Sequence, residues 1–186
     1  MDTVDLSKFK NPEFDRGASR IREALWLLLR QGLFRSNPFK MYGLKAGVLR
    51  TLGATLGARF VCKPNVNITF PWRFTAGNDC WLGDEVYILN LAPVALGHNV
   101  CISQRVFLCT GSHDWGDPAF GLIVKPITIE DGAWICANVF IGPGVTIGRN
   151  CVVTAGSVVT QDLPPDMICS GQPCVPVKPR IFRTAS

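Results

Sequence analysis

The sequence predicts an all-β solenoid: a parallel β-helix of about five triangular turns, with an N-terminal helical cap and one projecting loop. Three observations carry this prediction. First, a bulky apolar residue returns every six positions. The series runs Leu56, Cys62, Ile68 and Phe74, slips by two to Leu82 and Ile88, and slips again to Leu96, Ile102 and Leu108. It resumes at Ile129, Ile135, Ile141, Ile147, Val153 and Val159. Second, an alternating strand also repeats every six residues, but its period of two requires apolar third positions. Those positions read Asp84, Asn90, His98, Gln104, Asp131, Arg149 and Gln161. Third, the fourth position holds turn formers such as Gly132, Asn138, Gly144 and Asn150. Each hexad is therefore a short strand and a corner. Three hexads close one turn, and the fifteen make five.

The chain of 186 residues is 47% hydrophobic and 18% charged, enough apolar surface for one sizeable core and too much for a disordered chain. The longest early apolar run, Ala24 to Leu29, falls far short of the roughly 20 residues a spanning helix needs. Acidic Asp2, Asp5, Glu13 and Asp15 precede it, which argues against a secretory signal, so the chain is expected in the cytoplasm. Eight cysteines without a C-x-x-C pair read as buried thiols rather than as disulfides or a metal site. Residues 1–60 carry 11 Lys/Arg against 5 Asp/Glu, whereas residues 61–186 carry 8 against 9. The β-helical body thus lacks the basic, aromatic-studded face of a nucleic-acid binder.

Three segments follow: a helical segment at 1–50, the β-helix at 51–165 and an extension at 166–186. Within the first, Ser19 to Phe34 is expected to be a helix with Ile21, Leu25, Leu28, Leu29 and Gly32 on its apolar face, ended by Asn37-Pro38. That face is expected to cover the open first turn; the alternative is contact with anionic lipid.

Of the two histidines, His113 is the candidate catalyst. It stands at the sixth position of its hexad, where alternation turns it outward and turns Ser112 inward. The repeat then breaks, and 21 residues separate Leu108 from Ile129. Such a break reads as a loop held on a rigid scaffold, where sites collect. Ser112-His113-Asp114 is no hydrolytic triad, because sequence neighbours cannot bond in series as nucleophile, base and orienter. His98 reads as a surface residue.

The block Ile127 to Ile135, then Ile141-Gly142-Pro143-Gly144-Val145-Thr146-Ile147-Gly148 and Ala155-Gly156-Ser157-Val158-Val159-Thr160, resembles the hexapeptide-repeat sugar O-acetyltransferases. The match continues through Leu163-Pro164-Pro165 and Gly171-Gln172-Pro173-Cys174. Asn90-Leu91-Ala92-Pro93 and Cys109 to Trp115 look most like the colanic acid branch of that family. The resemblance implies a left-handed coil, a homotrimer with sites between subunits, acetyl-CoA as co-substrate and no metal. It implies His113 as general base, with Asn90, Asp114 and Trp115 toward the acceptor. Trp134, Ala137, Ala155 and Thr160 are implied beside the coenzyme. Where relatives carry Lys and Arg, this chain has Gln161 and Val175, and Lys178 and Arg180 are the candidates to replace that charge. Two histidines are too few for the three-histidine zinc of the carbonic anhydrases on the same scaffold. Transfer to an amine or a non-sugar alcohol such as serine, and a non-catalytic assembly subunit, are the rival readings.

Overall fold

The computed structural model describes residues 3–35 and 40–183. Its body is a left-handed parallel β-helix with three sheets, one per side of the triangle. Sheet I stacks Leu56, Ala76, Leu96, Ile129 and Ile147 in register. Sheet II stacks Cys62, Leu82, Ile102, Ile135, Val153 and Cys169, and sheet III stacks Ile68, Ile88, Leu108, Ile141 and Val159. All of these side chains are buried and form one core with the fifth-position residues such as Val86, Val106, Ala133 and Cys151. Five full turns are followed by part of a sixth, which Leu163 opens by bridging to Ile147 and Cys169 continues. The six-residue count misses this turn because only four positions separate Val159 from Leu163.

The corners explain the pattern. The fourth position has positive φ at Arg59, Asn65, Asp79, Glu85, Asn99, Arg105, Asn138, Asn150 and Asp166, and at Gly132, Gly144 and Gly156. This left-handed conformation suits glycine and asparagine and costs other residues energy, which core burial offsets. Sheets I and II, and sheets II and III, are joined by these six-residue units throughout. The corner from sheet III to sheet I varies, separating Ile68 from Ala76, Ile88 from Leu96, Leu108 from Ile129, Ile141 from Ile147 and Val159 from Leu163. One expectation is corrected here: Ala76, not Phe74, heads its hexad, and the insertion lies before it at the short helix Pro71–Arg73. Phe74 mimics a head because it is also fully buried, two residues earlier on the same strand.

Two helices close the N-terminal end. Helix α1 (Arg20–Leu33) starts on Ser19, whose side chain accepts a hydrogen bond from the Arg22 N–H. Its buried side is Trp26, with Leu29 and Leu33 packed against the core. The Trp26 indole donates to the Ile68 carbonyl at 2.9 Å and meets Phe34 edge-on. Of the expected face only Leu29 packs against the core. Ile21, Leu25 and Leu28 point to solvent, because one large indole that also satisfies an edge carbonyl outweighs the aliphatic stripe. The expected Asn37-Pro38 stop lies outside the described residues. Helix α2 (Tyr42–Thr51) goes unseen in the sequence, since Gly43, Gly47 and Lys45 disguise it. Its Leu49 and Ala46 plug the open coil, and buried Lys45 reaches the Cys62 and Lys63 carbonyls at the exposed edge of sheet II. Burial lowers the Lys45 pKa.

All eight cysteines are thiols, with Cys101 and Cys136 only half-buried. Burial pushes the Cys62 thiol up to about 12 and raises the others, so none is poised as a nucleophile.

Candidate active site

The long insertion at the third corner is a β-hairpin. Gly111–His113 pairs antiparallel with Leu122–Val124, and His113 lies opposite Leu122. Thr110 ties its base: the buried hydroxyl accepts from the Ala92 N–H and donates to the Leu89 carbonyl, both at 2.9 Å. Ser112 accordingly does not point into the coil, since the strand carrying it has left the solenoid wall.

Asp117 shapes the hairpin tip. Its carboxylate accepts from the Ala119 and Gly121 N–H groups, each at 2.8 Å, and holds Phe120 at a φ of 60°. In that conformation the Phe120 carbonyl meets His113 Nδ1 at 2.8 Å, and the Phe120 ring stacks on the imidazole with centroids 3.9 Å apart. A carbonyl only accepts, so neutral His113 carries its proton on Nδ1 and keeps a lone pair on Nε2. Phe9 contacts the imidazole edge-on at 5.7 Å, and the N-terminal segment is tied to the tip by the Asp5 N–H donating to the Pro118 carbonyl. A depression of about 560 Å³ lies beside this arrangement, lined by Glu13, Phe14, Asp15, Leu91, Pro93 and Leu122 among others.

The remaining expected residues are distributed around the triangle. Asp114 is exposed, its carboxylate accepting from the Gly116 N–H, and Trp115 projects from the tip at 95% exposure. Trp134 stands on the outer side of sheet II, half-exposed, with Nε1 donating to Ser103 Oγ at 3.0 Å. Ala137 and exposed Ala155 share the corner from sheet II to sheet III, and Thr160 lies at the corner that carries the hairpin. Lys178 and Arg180 sit at the far end of sheet II. After Met167–Gly171 the chain reverses into Cys174–Pro179, which pairs Lys178 with Ile168 and leaves Val175 beside Ser170. Arg180 Nη1 is held by the Gly132 and Asn150 carbonyls, so its guanidinium stitches the opposite corner. The Arg180 guanidinium is thus spent on these carbonyls and does not replace the charge missing at Gln161 of its own chain.

Residues 126–161 match the bacterial transferase hexapeptide (six repeats) model. The chain is 39% identical over 177 residues to an Escherichia coli K12 protein named for a proposed colanic acid biosynthesis acetyltransferase, WcaF, covering 95% of this chain and 97% of that one. The chain belongs to the hexapeptide-repeat acetyltransferases. A Vibrio cholerae hexapeptide-repeat acetyltransferase solved with acetyl coenzyme A superposes with a TM-score of 0.81 at 30% identity, covering 95% of this chain and 97% of that chain. Galactoside acetyltransferase in complex with coenzyme A superposes at 0.80 and 26% identity, covering 90% and 86%.

In this acetyltransferase Asn90 is fully buried. Its amide accepts from the Phe70 N–H at 2.8 Å and donates to the Phe70 carbonyl at 2.7 Å, while neighbouring Leu91, Ala92 and Pro93 line the depression. The family resemblance placed Asn90 toward the acceptor. The fold consumes it in holding the two-residue insertion at that corner. Asn90→Ala leaves both Phe70 groups unpaired and is expected to cost about 2–4 kcal/mol of stability by denaturant titration, with turnover of the folded fraction preserved. A stable variant with a raised acceptor KM would return Asn90 to the substrate. Asp117, Phe120 and Phe9 were missed as supports of the histidine. The signal available was Asp117-Pro118-Ala119-Phe120-Gly121, an Asx-turn composition directly after the candidate base.

Proposed function

We propose that this enzyme transfers an acetyl group from acetyl-CoA to a sugar hydroxyl in the synthesis of an exported polysaccharide, with His113 as general base. The observation that carries the reading is His113 itself: its Nδ1 is committed to the Phe120 carbonyl, which leaves Nε2 as the basic nitrogen, and its cross-strand partner Leu122 lines the depression. His113 Nε2 takes the proton of the acceptor hydroxyl as that oxygen bonds to the thioester carbonyl carbon. As the carbon–sulfur bond breaks, the imidazolium returns the proton to the departing thiolate. No acetyl-enzyme is required.

Trp134, Ala137 and Ala155 are proposed to hold the coenzyme from one copy, and Thr160, at the hairpin corner, to meet it from the neighbouring copy. The small, exposed corner at Ala155 leaves room for an extended pantetheine arm beside backbone amides. Sheet III, faced by Tyr87, Phe107 and Phe140, separates that corner from the hairpin corner of the same chain. This separation supports a site shared between adjacent copies in a homotrimer, with the histidine of one copy meeting coenzyme on the next. A cytoplasmic location is proposed because the donor is acetyl-CoA. The names of the colanic acid and galactoside relatives support a glycan acceptor. The test is thiol release from acetyl-CoA with purified protein. Release that depends on added saccharide or glycan acceptors is expected; release driven by amines alone would move the enzyme to N-acylation, and none with any acceptor would leave the assembly reading.

A further inference from the structure

We propose that the solvent face of α1 docks this enzyme on an anionic lipid surface. Ile21, Leu25 and Leu28 recur at helical spacing on the side opposite Trp26 and are 82%, 49% and 71% exposed. None of the described residues covers this stripe. The surrounding charge selects the occupant. Exposed Arg20 borders the stripe at its start and exposed Arg35 follows the helix at its end, while the Arg22 guanidinium turns back over the Trp72 ring of the body. The helix has a single carboxylate, Glu23, on the packed side and neutralised by Arg16 at 2.7 Å. An apolar stripe between cationic flanks is the arrangement that buries aliphatic side chains at the acyl boundary while placing guanidinium groups among lipid phosphates.

Contact is peripheral in this proposal: among the described residues no helix is long and apolar enough to cross a membrane. Asp15 of the depression precedes Ile21 by six residues, a span of at most about 20 Å even fully extended. On the reading of that depression as the acceptor site, docking through α1 brings it within reach of a glycan carried on lipid.

The experiment is flotation of the full chain with phosphatidylcholine vesicles, with and without phosphatidylglycerol. Wild type is expected to float with the anionic vesicles at least about tenfold more than with the neutral ones, and to be released by salt. Ile21→Glu/Leu28→Glu is expected to abolish flotation while preserving the melting temperature, the sedimentation coefficient and thiol release with a soluble acceptor, since both side chains face solvent. Wild type that stays in the aqueous fraction, or floats equally with both vesicles, overturns the proposal. So does a double variant whose assembly dissociates, which would make the stripe a contact between copies. Thiol release with a soluble acceptor is read separately, so loss of docking and loss of the catalytic reading are distinguishable.

Discussion

His113→Ala lowers turnover by about 10²–10⁴-fold, the usual scale for removing a positioned general base and equal to roughly 3–5 kcal/mol of transition-state stabilisation. Steady-state kinetics with a saturating acceptor measures it. Acetyl-CoA affinity and assembly mass are expected to stay constant. The hairpin that carries His113 is held by backbone pairing with Leu122–Val124 and by the Asp117 carboxylate, none of which needs the imidazole. The variant therefore separates chemistry from folding. Near wild-type turnover in a folded, coenzyme-binding variant would remove His113 from the reaction.

Ala155→Trp is expected to weaken acetyl-CoA binding by about 10²-fold or more, which corresponds to roughly 3 kcal/mol, with no fall in the unfolding temperature. Alternation from Val153 would bury position 155; the corner instead turns Ala155 to the surface, where a large ring has room in the free protein and blocks whatever lies along that edge. Calorimetric binding and thermal melting of the same preparation decide it. Retained affinity would move the pantetheine arm to another groove, and a large drop in melting temperature would show the corner to be packed.

Much of the coil was legible because its two rules are local. A buried head and a left-handed fourth residue each leave a mark on composition, and the glycines and asparagines named from sequence, Gly132, Asn138, Gly144 and Asn150, all have positive φ. What failed depended on partners distant in sequence. The packed face of α1 is decided by the Ile68 carbonyl, 42 residues from Trp26, so hydrophobic periodicity within the helix selects the wrong stripe. Arg180 looks available until the chain reversal carries it to Gly132, and Asn90 looks available until Phe70 takes its amide. Histidine scarcity and the break in the repeat singled out His113, but a residue at the end of a hairpin strand gives no hint that a carbonyl seven residues onward decides its tautomer.

The uneven third corner has a consequence for how this scaffold diversifies. Two edges of the triangle repeat with fixed length and set the rise of every coil, so an insertion there would shift the stacking of all later rungs. Along the remaining edge the chain lengthens or shortens between Ile68 and Ala76, Leu108 and Ile129, and Val159 and Leu163 without disturbing the register on either side. Segments can therefore be grafted at that edge as interchangeable attachments, and new acceptor preferences can arise there while the coiled support keeps its stability.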